Sequence, residues 1–169
     1  MLSPVLVSLA ERCIADAKRA GTKLVTAESC TGGLVAACLT HIAGSSDAFE
    51  RGFVTYSNEA KAESLGVSRT LIASRGAVSH EVAKALARGA LAHARADIAV
   101  SITGIAGPTG DTAGKPIGLV YVATARRDGT IRSIEHRFGD IGREGVREKS
   151  AAKALEMMID EIADSRSNG

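Results

Sequence analysis

Aromatic residues are scarce in this chain of 169 residues, which contains no tryptophan and has an aromatic content of only 3%. Proteins that bind single-stranded nucleic acid stack bases on aromatic rings, so this scarcity argues against nucleic-acid partners. The net charge of +2 provides no strong field for polyanions either. Hydrophobic residues make up 45% of the chain, and the core must be built mainly from Ala, Val, Ile and Leu.

Cysteines, metal-ligand patterns and long apolar runs are also sparse. Cys13, Cys30 and Cys38 are odd in number and lack metal-ligand spacing, so we expect reduced thiols in a cytoplasmic protein. The acidic residues form no cluster with ligand spacing, and we expect no bound metal. No apolar run reaches membrane-spanning length and no signal peptide is evident, so we expect no membrane partner.

The pattern of apolar residues predicts an α/β fold. Helical and strand signals alternate as α-β-α-β-α-α-β, followed by a β-hairpin and a last helix. This order favours a single domain over residues 1–169, a three-layer α/β/α sandwich with a mixed sheet of about five strands. The predicted strands are 23–26, 51–56, 97–103, 118–125 and 130–138; the predicted helices include 34–42, 59–65 and 143–163, with a short turn at 69–74 and a polar tail at 164–169.

The stretch Ala27-Glu28-Ser29-Cys30-Thr31-Gly32-Gly33 lies between a predicted strand and a predicted helix. The first turn of a helix has unpaired N–H groups, and glycines let a ligand approach them closely. Ser29 is therefore a candidate nucleophile or phosphate-binding hydroxyl. Alternatively, Ser29 or Thr31 only caps the helix.

Two further strand ends carry polar or glycine-rich signals, Tyr56-Ser57-Asn58 and Thr103-Gly104. Ligands of open α/β sheets bind beyond the carboxyl ends of strands, so we expect these ends and Ser29 to meet in one pocket. None of the four histidines falls at a strand end. Lys61, one helical turn after Asn58, is the remaining candidate base if burial lowers its pKa; otherwise it is a surface lysine. The loop 104–110 lacks the spacing of both common nucleotide-binding fingerprints.

Four blocks of the sequence together resemble the CinA C-terminal domain family, the competence- and damage-inducible proteins. They span almost the whole chain in the family's order: Thr26-Ala27-Glu28-Ser29-Cys30-Thr31-Gly32-Gly33, Gly52-Phe53-Val54-Thr55-Tyr56-Ser57-Asn58-Glu59-Ala60-Lys61, Gly76-Ala77-Val78-Ser79 and Thr103-Gly104-Ile105-Ala106-Gly107-Pro108.

The resemblance implies a nicotinamide-nucleotide amidohydrolase that deamidates nicotinamide mononucleotide to nicotinate mononucleotide and ammonia without a cofactor. It makes Ser29 the nucleophile, Lys61 the general base and Tyr56 the assisting hydroxyl. The family's Phe-x-Gly-Asp-Arg is replaced here by Phe138-Gly139-Asp140-Ile141-Gly142-Arg143, with shifted spacing. The residues expected to bind the small-molecule nucleotide are Thr31, Gly32, Gly33, Asn58, Thr103, Gly104, Ala106, Gly107, Arg143 and Arg147.

Two other functions stay open at this stage. One is a non-catalytic domain that binds a nucleotide or a partner in competence or the response to DNA damage. The other is a cysteine hydrolase that uses Cys30. The tetrahedral oxyanion could be bound by amides of the Gly32-Gly33 helix start or of the Gly104 loop. The sequence also leaves open whether the chain forms a homo-oligomer.

Overall fold

A computed structural model describes residues 1–167 of the chain, and a five-stranded mixed sheet lies at its centre. The strand order is β2-β1-β3-β4-β5. β1 pairs in parallel with β2 and β3, whereas β4 is antiparallel to both β3 and β5. The predicted α/β class with about five strands is therefore confirmed. The strands are β1 Leu24–Glu28, β2 Phe49–Val54, β3 Ile98–Gly104, β4 Leu119–Arg126 and β5 Ile131–Arg137.

Within residues 1–167, six α-helices cover the two faces of the sheet. The helices α1, α2 and α6 pack over one apolar cluster, and α3, α4 and α5 pack over the other. This arrangement is the predicted three-layer α/β/α sandwich. The helices are α1 Pro4–Ala20, α2 Leu34–Thr40, α3 Asn58–Leu65, α4 Arg69–Arg75, α5 His80–Ala92 and α6 Arg143–Ser167, with a 3₁₀ turn at Ser45–Asp47.

Side-chain caps fix where most of the short helices begin. Ser57, Ser68 and Ser79 each accept a hydrogen bond from a backbone N–H in the first turn of α3, α4 and α5. Such caps satisfy donors that the helix itself leaves unpaired. The start of α3 matters most for function because it determines where Lys61 lies relative to the end of β2.

Several predictions of element bounds and type need correction, among them the end of β1, which lies at Glu28 rather than residue 26. Strand β2 ends at Val54 rather than residue 56, because its parallel partner β1 ends at Glu28, which pairs with Val54. Residues 69–74, predicted as a turn, belong to a helix. The last helix continues to Ser167 through most of the predicted tail, which contains neither glycine nor proline before its end. Residues 168 and 169 of that tail lie outside the described residues.

The parallel pairing places the carboxyl ends of β1, β2 and β3 at one edge of the sheet. Glu28 pairs with Val54 on one side and with Ile102 on the other, so the segments that follow these strands start side by side. Among residues 1–167, no helix combines the length and the apolar character needed to cross a membrane.

Candidate active site

A pocket of about 280 Å³ opens at the carboxyl edge of the three parallel strands. Ser29 follows β1, Tyr56 and Asn58 follow β2, and Thr103 and Gly104 end β3, and all five line the pocket. The prediction that these three strand ends converge is therefore confirmed. The pocket also contains Lys61, Ala106, Gly107 and Arg143, which the sequence had indicated as site residues.

Lys61 is buried at the bottom of this site, with only 2% of its surface exposed. Its Nζ lies 3.1 Å from Ser29 Oγ, 3.0 Å from the carbonyl oxygen of Thr55 and 3.2 Å from that of Tyr56. Burial lowers the pKa of Lys61 from its usual value, because the charged form loses hydration. The surface-lysine interpretation is thus wrong, and the amine directly faces the hydroxyl of Ser29.

Neither Ser29 nor Thr31 caps α2. The residue before the helix is Gly33, which has a φ of 96° and no side-chain capping bond. The hydroxyl of Thr31 is buried without a hydrogen-bond partner in the described part of the chain. The capping alternative is therefore wrong, and the Ser29 hydroxyl is engaged with Lys61 instead.

The start of α2 is occupied by the side chain of Glu28, for which no role was predicted from the sequence. The Glu28 carboxylate accepts hydrogen bonds from the backbone N–H groups of Gly33, Val35 and Ala36. The N–H of Gly32 donates to the carbonyl of Ser29. These amides are consequently unavailable to a ligand. The sequence contains one signal for this cap. The predicted helix has no Ser, Thr, Asp or Asn at its N-cap position, and an acidic residue lies a few positions before it.

Arg143 spans the mouth of the pocket from the first turn of α6. Its Nη1 donates to the carbonyl of Gly107 at 2.9 Å, and its Nη2 donates to the hydroxyl of Tyr56 at 2.8 Å. Tyr56 therefore contacts Lys61 through its backbone carbonyl, while its hydroxyl binds Arg143. The guanidinium retains further N–H groups for an anionic ligand.

Four residues expected at the substrate site do not line the pocket, namely Thr31, Gly32, Gly33 and Arg147. Arg147 is one helical turn beyond Arg143, and its Nη2 donates to the carbonyl of Thr31 at 2.9 Å, outside the pocket. The turn at Gly32 and Gly33 folds around the Glu28 carboxylate instead of facing a ligand.

Other residues line the pocket that the sequence had not assigned to the site. Ala77 and Val78 form one wall, and the hydroxyl of Thr103 fixes that wall by donating to the carbonyl of Ala77 at 2.9 Å. The block Gly76-Ala77-Val78-Ser79 contributed to the family resemblance, but its position in the site could not be predicted from it. That position depends on the hydrogen bond between Thr103 and Ala77, which are 26 residues apart in the sequence. The remaining additions are Ile105, Thr109 and Gly110, and Cys30, the alternative nucleophile considered above, also lines the pocket.

Histidine takes no part in the pocket, since none of its lining residues in the described chain is a histidine. His80, for example, has its Nδ1 2.8 Å from the hydroxyl of Ser133 on β5. Among the described residues, lysine is thus the basic group adjacent to Ser29, which is the candidate that the strand-end argument had left.

The fold and the pocket define a three-layer α/β/α protein with a buried Ser–Lys pair at the carboxyl edge of its parallel strands. The chain belongs to the CinA C-terminal domain family, whose model matches residues 6–162. It is 51% identical over 160 residues to a protein of Escherichia coli named nicotinamide-nucleotide amidohydrolase PncC, covering 94% of this chain and 95% of that protein.

Solved structures of the same family have the same fold. The competence/damage inducible protein CihA from Agrobacterium tumefaciens has a TM-score of 0.93 and 49% identity, covering 95% of this chain and 97% of that one. The competence damage-inducible protein A from Klebsiella pneumoniae gives a TM-score of 0.89 at 35% identity, covering 94% and 97%. Other relatives are longer: the chain spans 34% of a CinA-like protein from Syntrophobacter fumaroxidans, with 47% identity over 85% of this chain.

We predict that the Cys30 thiol is inert in the folded protein. Burial raises its pKa to about 12, so about one thiol in ten thousand is ionised at pH 8. Iodoacetamide at pH 8 should leave Cys30 unmodified in the native protein, as measured by mass spectrometry of peptides. The control is the same reaction in guanidinium chloride, where all three cysteines should react. Rapid modification of native Cys30 would restore the thiol as a candidate nucleophile.

Proposed function

We propose that this protein hydrolyses the carboxamide of nicotinamide mononucleotide, producing nicotinate mononucleotide and ammonia by a Ser/Lys mechanism. The observation that carries the proposal is the 3.1 Å contact between Lys61 Nζ and Ser29 Oγ inside the pocket. A relative that is 51% identical over nearly its full length and is named nicotinamide-nucleotide amidohydrolase supports the substrate.

The contacts of Lys61 fit a neutral amine that acts as a base. A neutral amine has two N–H groups and one lone pair. The carbonyls of Thr55 and Tyr56 can accept the two N–H groups, which leaves the lone pair facing the hydroxyl of Ser29. Because burial lowers the pKa of Lys61, this neutral form is more populated at neutral pH than in an exposed lysine.

The reaction follows from this geometry in two stages. Ser29 Oγ attacks the carboxamide carbon while its proton passes to Lys61 Nζ. The protonated amine then gives that proton to the departing nitrogen, ammonia leaves, and an ester forms on Ser29. Water attacks the ester with Lys61 as base, and the collapse of this second tetrahedral intermediate returns the proton to Ser29 and releases the carboxylic acid product.

The developing oxyanion requires backbone donors close to Ser29. Two groups of amides were candidates for binding the oxyanion, those at the start of α2 and those in the loop after β3. The amides at the start of α2 donate to Glu28, so the loop after β3 remains. In this loop Ala106 and Gly107 line the pocket, and their N–H groups donate to no backbone acceptor within residues 1–167. We assign the oxyanion to this loop.

The phosphate of the nucleotide is assigned to Arg143. Apart from Lys61, Arg143 is the cationic side chain that lines the pocket in the described residues. Its guanidinium lies at the exposed mouth, where the end of a substrate remote from the carboxamide would be located. Binding energy from this remote group would position the carboxamide against Ser29.

We expect Ser29→Ala to abolish ammonia release from nicotinamide mononucleotide with little change in thermal stability, because its hydroxyl caps no helix. Ammonia release by the purified protein, measured beside the melting temperature, checks this. The control is Ser68→Ala, which removes the cap of α4; it should lower stability by about 1 kcal/mol and retain turnover. Near wild-type turnover in Ser29→Ala would refute the mechanism. If the wild-type protein binds the nucleotide tightly but releases no ammonia, a non-catalytic binding domain would be favoured instead.

Turnover should rise with pH through the lowered pKa of Lys61. The ammonium form cannot accept a proton, and its fraction decreases as pH increases. Lys61→Arg should lose turnover by at least about a hundredfold at every working pH, since guanidinium stays protonated. The measurements are kcat against pH for the wild type, and kcat together with a direct binding constant for the variant. Substantial turnover in Lys61→Arg would show that the base is elsewhere.

We expect Arg143→Met to raise KM for the mononucleotide about tenfold to a hundredfold, because a charge-assisted hydrogen bond to the phosphate is lost. KM for nicotinamide riboside, which has no phosphate, should be nearly unchanged. Arg147→Met is the matched control, one helical turn away and outside the pocket. It should preserve the preference for the nucleotide over the riboside. Equal kcat/KM for the two substrates in the wild type would contradict a phosphate site.

A further inference from the structure

Glu28 is a fully buried carboxylate that the proposed chemistry does not use, with 0% of its surface exposed. Its Oε2 accepts from the N–H groups of Gly33 at 3.1 Å and Val35 at 3.0 Å, and its Oε1 accepts from that of Ala36 at 2.8 Å. No lysine, arginine or histidine forms an ion pair with it among residues 1–167. Its charge is therefore stabilised by backbone donors at the positive end of α2.

The backbone of Glu28 also aligns the site. Its carbonyl accepts from the N–H of Thr55 at 2.9 Å, and the next residue, Ser29, donates its N–H to the carbonyl of Ile102 at 3.0 Å. Thr55 in turn provides one of the two carbonyls that bind Lys61. Residue 28 thus lies between the segment that carries the hydroxyl and the segment that holds the amine.

The direction of the side chain separates Glu28 from the pocket. Side chains alternate across a strand, so Glu28 points to the α2 face together with Leu24, whereas Val25 and Ala27 point to the opposite face. Glu28 is not among the residues that line the pocket. Both carboxylate oxygens are occupied by N–H groups of the turn and helix. A direct role in proton transfer or in substrate contact is inconsistent with this arrangement.

We propose that Glu28 is a positioning residue whose carboxylate fixes the turn from Ser29 to Gly33 and so holds the Ser29 hydroxyl against Lys61. The inference rests on the proposed function, since it assigns Glu28 a part in presenting the nucleophile. The turn is short, and both of its ends are set by residue 28: the peptide bond fixes the start and the carboxylate fixes the end. Small displacements of a nucleophile cost about a hundredfold in rate.

A carboxylate serves this role where an amide of the same shape would not. All three backbone groups that face Glu28 are donors, and a carboxylate offers an acceptor oxygen to each side. In Glu28→Gln one oxygen becomes an NH₂ group, which would oppose a backbone N–H. The turn must shift to relieve this contact. Glu28→Asp keeps both acceptors but is shorter by one methylene group, so it should preserve the charge and lose part of the reach.

The test combines steady-state kinetics with the reactivity of Ser29 itself. For Glu28→Gln we expect kcat for ammonia release to fall about tenfold to a hundredfold, with KM within threefold of the wild type. The rate at which a fluorophosphonate probe modifies Ser29 should fall by a similar factor. Glu28→Asp should give intermediate losses in both. The melting temperature of each variant shows that the folded protein is being assayed.

Glu161→Gln is the matched control because Glu161 is also buried, at 1% exposure. It contacts Thr124 and Arg132 near the end of the sheet where Ile98 pairs with Arg126, opposite the pocket. This variant should lower the melting temperature and leave kcat and the probe rate unchanged. A general loss of stability would then be distinguished from a loss of positioning.

Four results would overturn the inference. One is a folded Glu28→Gln protein with kcat and probe rate within twofold of the wild type. If Glu28→Gln does not fold, a Glu28→Asp protein with wild-type kcat and wild-type probe rate would also overturn the inference. A change confined to KM would indicate substrate contact instead. A wild-type protein that releases no ammonia and whose Ser29 resists the probe would refute the proposed function itself, and the inference with it.

Discussion

A lysine amine buried at the meeting point of three parallel strands is the constraint on which the site depends. A buried ammonium ion without a carboxylate partner is costly, so this environment favours the neutral amine. The end of β2 satisfies the amine without adding a negative charge. Thr55 still donates its N–H to the sheet, but its carbonyl and that of Tyr56 turn toward Lys61. The cap at Ser57 then begins α3 and sets Lys61 directly above these carbonyls.

The two buried glutamates among residues 1–167 are stabilised by different kinds of partner. Glu161 lies near Arg126 and Arg132, so its charge is balanced by guanidinium groups at the end of the sheet away from the pocket. Glu28 is balanced by backbone N–H groups at the edge where the pocket opens. Placing a cation beside Glu28 would bring a formal positive charge close to the neutral amine of Lys61 and to Ser29. Backbone donors stabilise the carboxylate while leaving the lysine as the basic group next to the hydroxyl.

The Glu28 carboxylate at the start of α2 also affects where this fold can bind a phosphate group. Many α/β proteins bind phosphate at the N-terminus of the helix that follows the first strand. Here that position is filled from within the chain, and the cation at the pocket mouth comes from α6 instead. Arg143 reaches across to Tyr56, 87 residues earlier in the sequence, so the last helix closes a site that the first three strands begin.

The alternation of helices and strands and the three strand ends that carry polar residues can be read from the sequence alone. These features are local, because hydrophobic periodicity and turn signals depend on neighbouring residues. They were enough to make Ser29 a candidate nucleophile and Lys61 a candidate base, since parallel strands bring their carboxyl ends together, but they did not exclude a helix cap or a surface lysine. The family resemblance added a catalytic role for Tyr56 and placed Ala106, Gly107 and Arg143 at the substrate site.

Which of the remaining groups face a ligand and which stabilise the fold depends on tertiary contacts. Arg143 and Arg147 are equivalent in sequence, both basic and four residues apart on one helix, yet one reaches the pocket and the other the back of the Ser29 turn. The glycines at 32 and 33 look open to a ligand until the direction of the Glu28 side chain is known. Which donors remain free depends on contacts between distant segments, and local patterns in the sequence do not encode them.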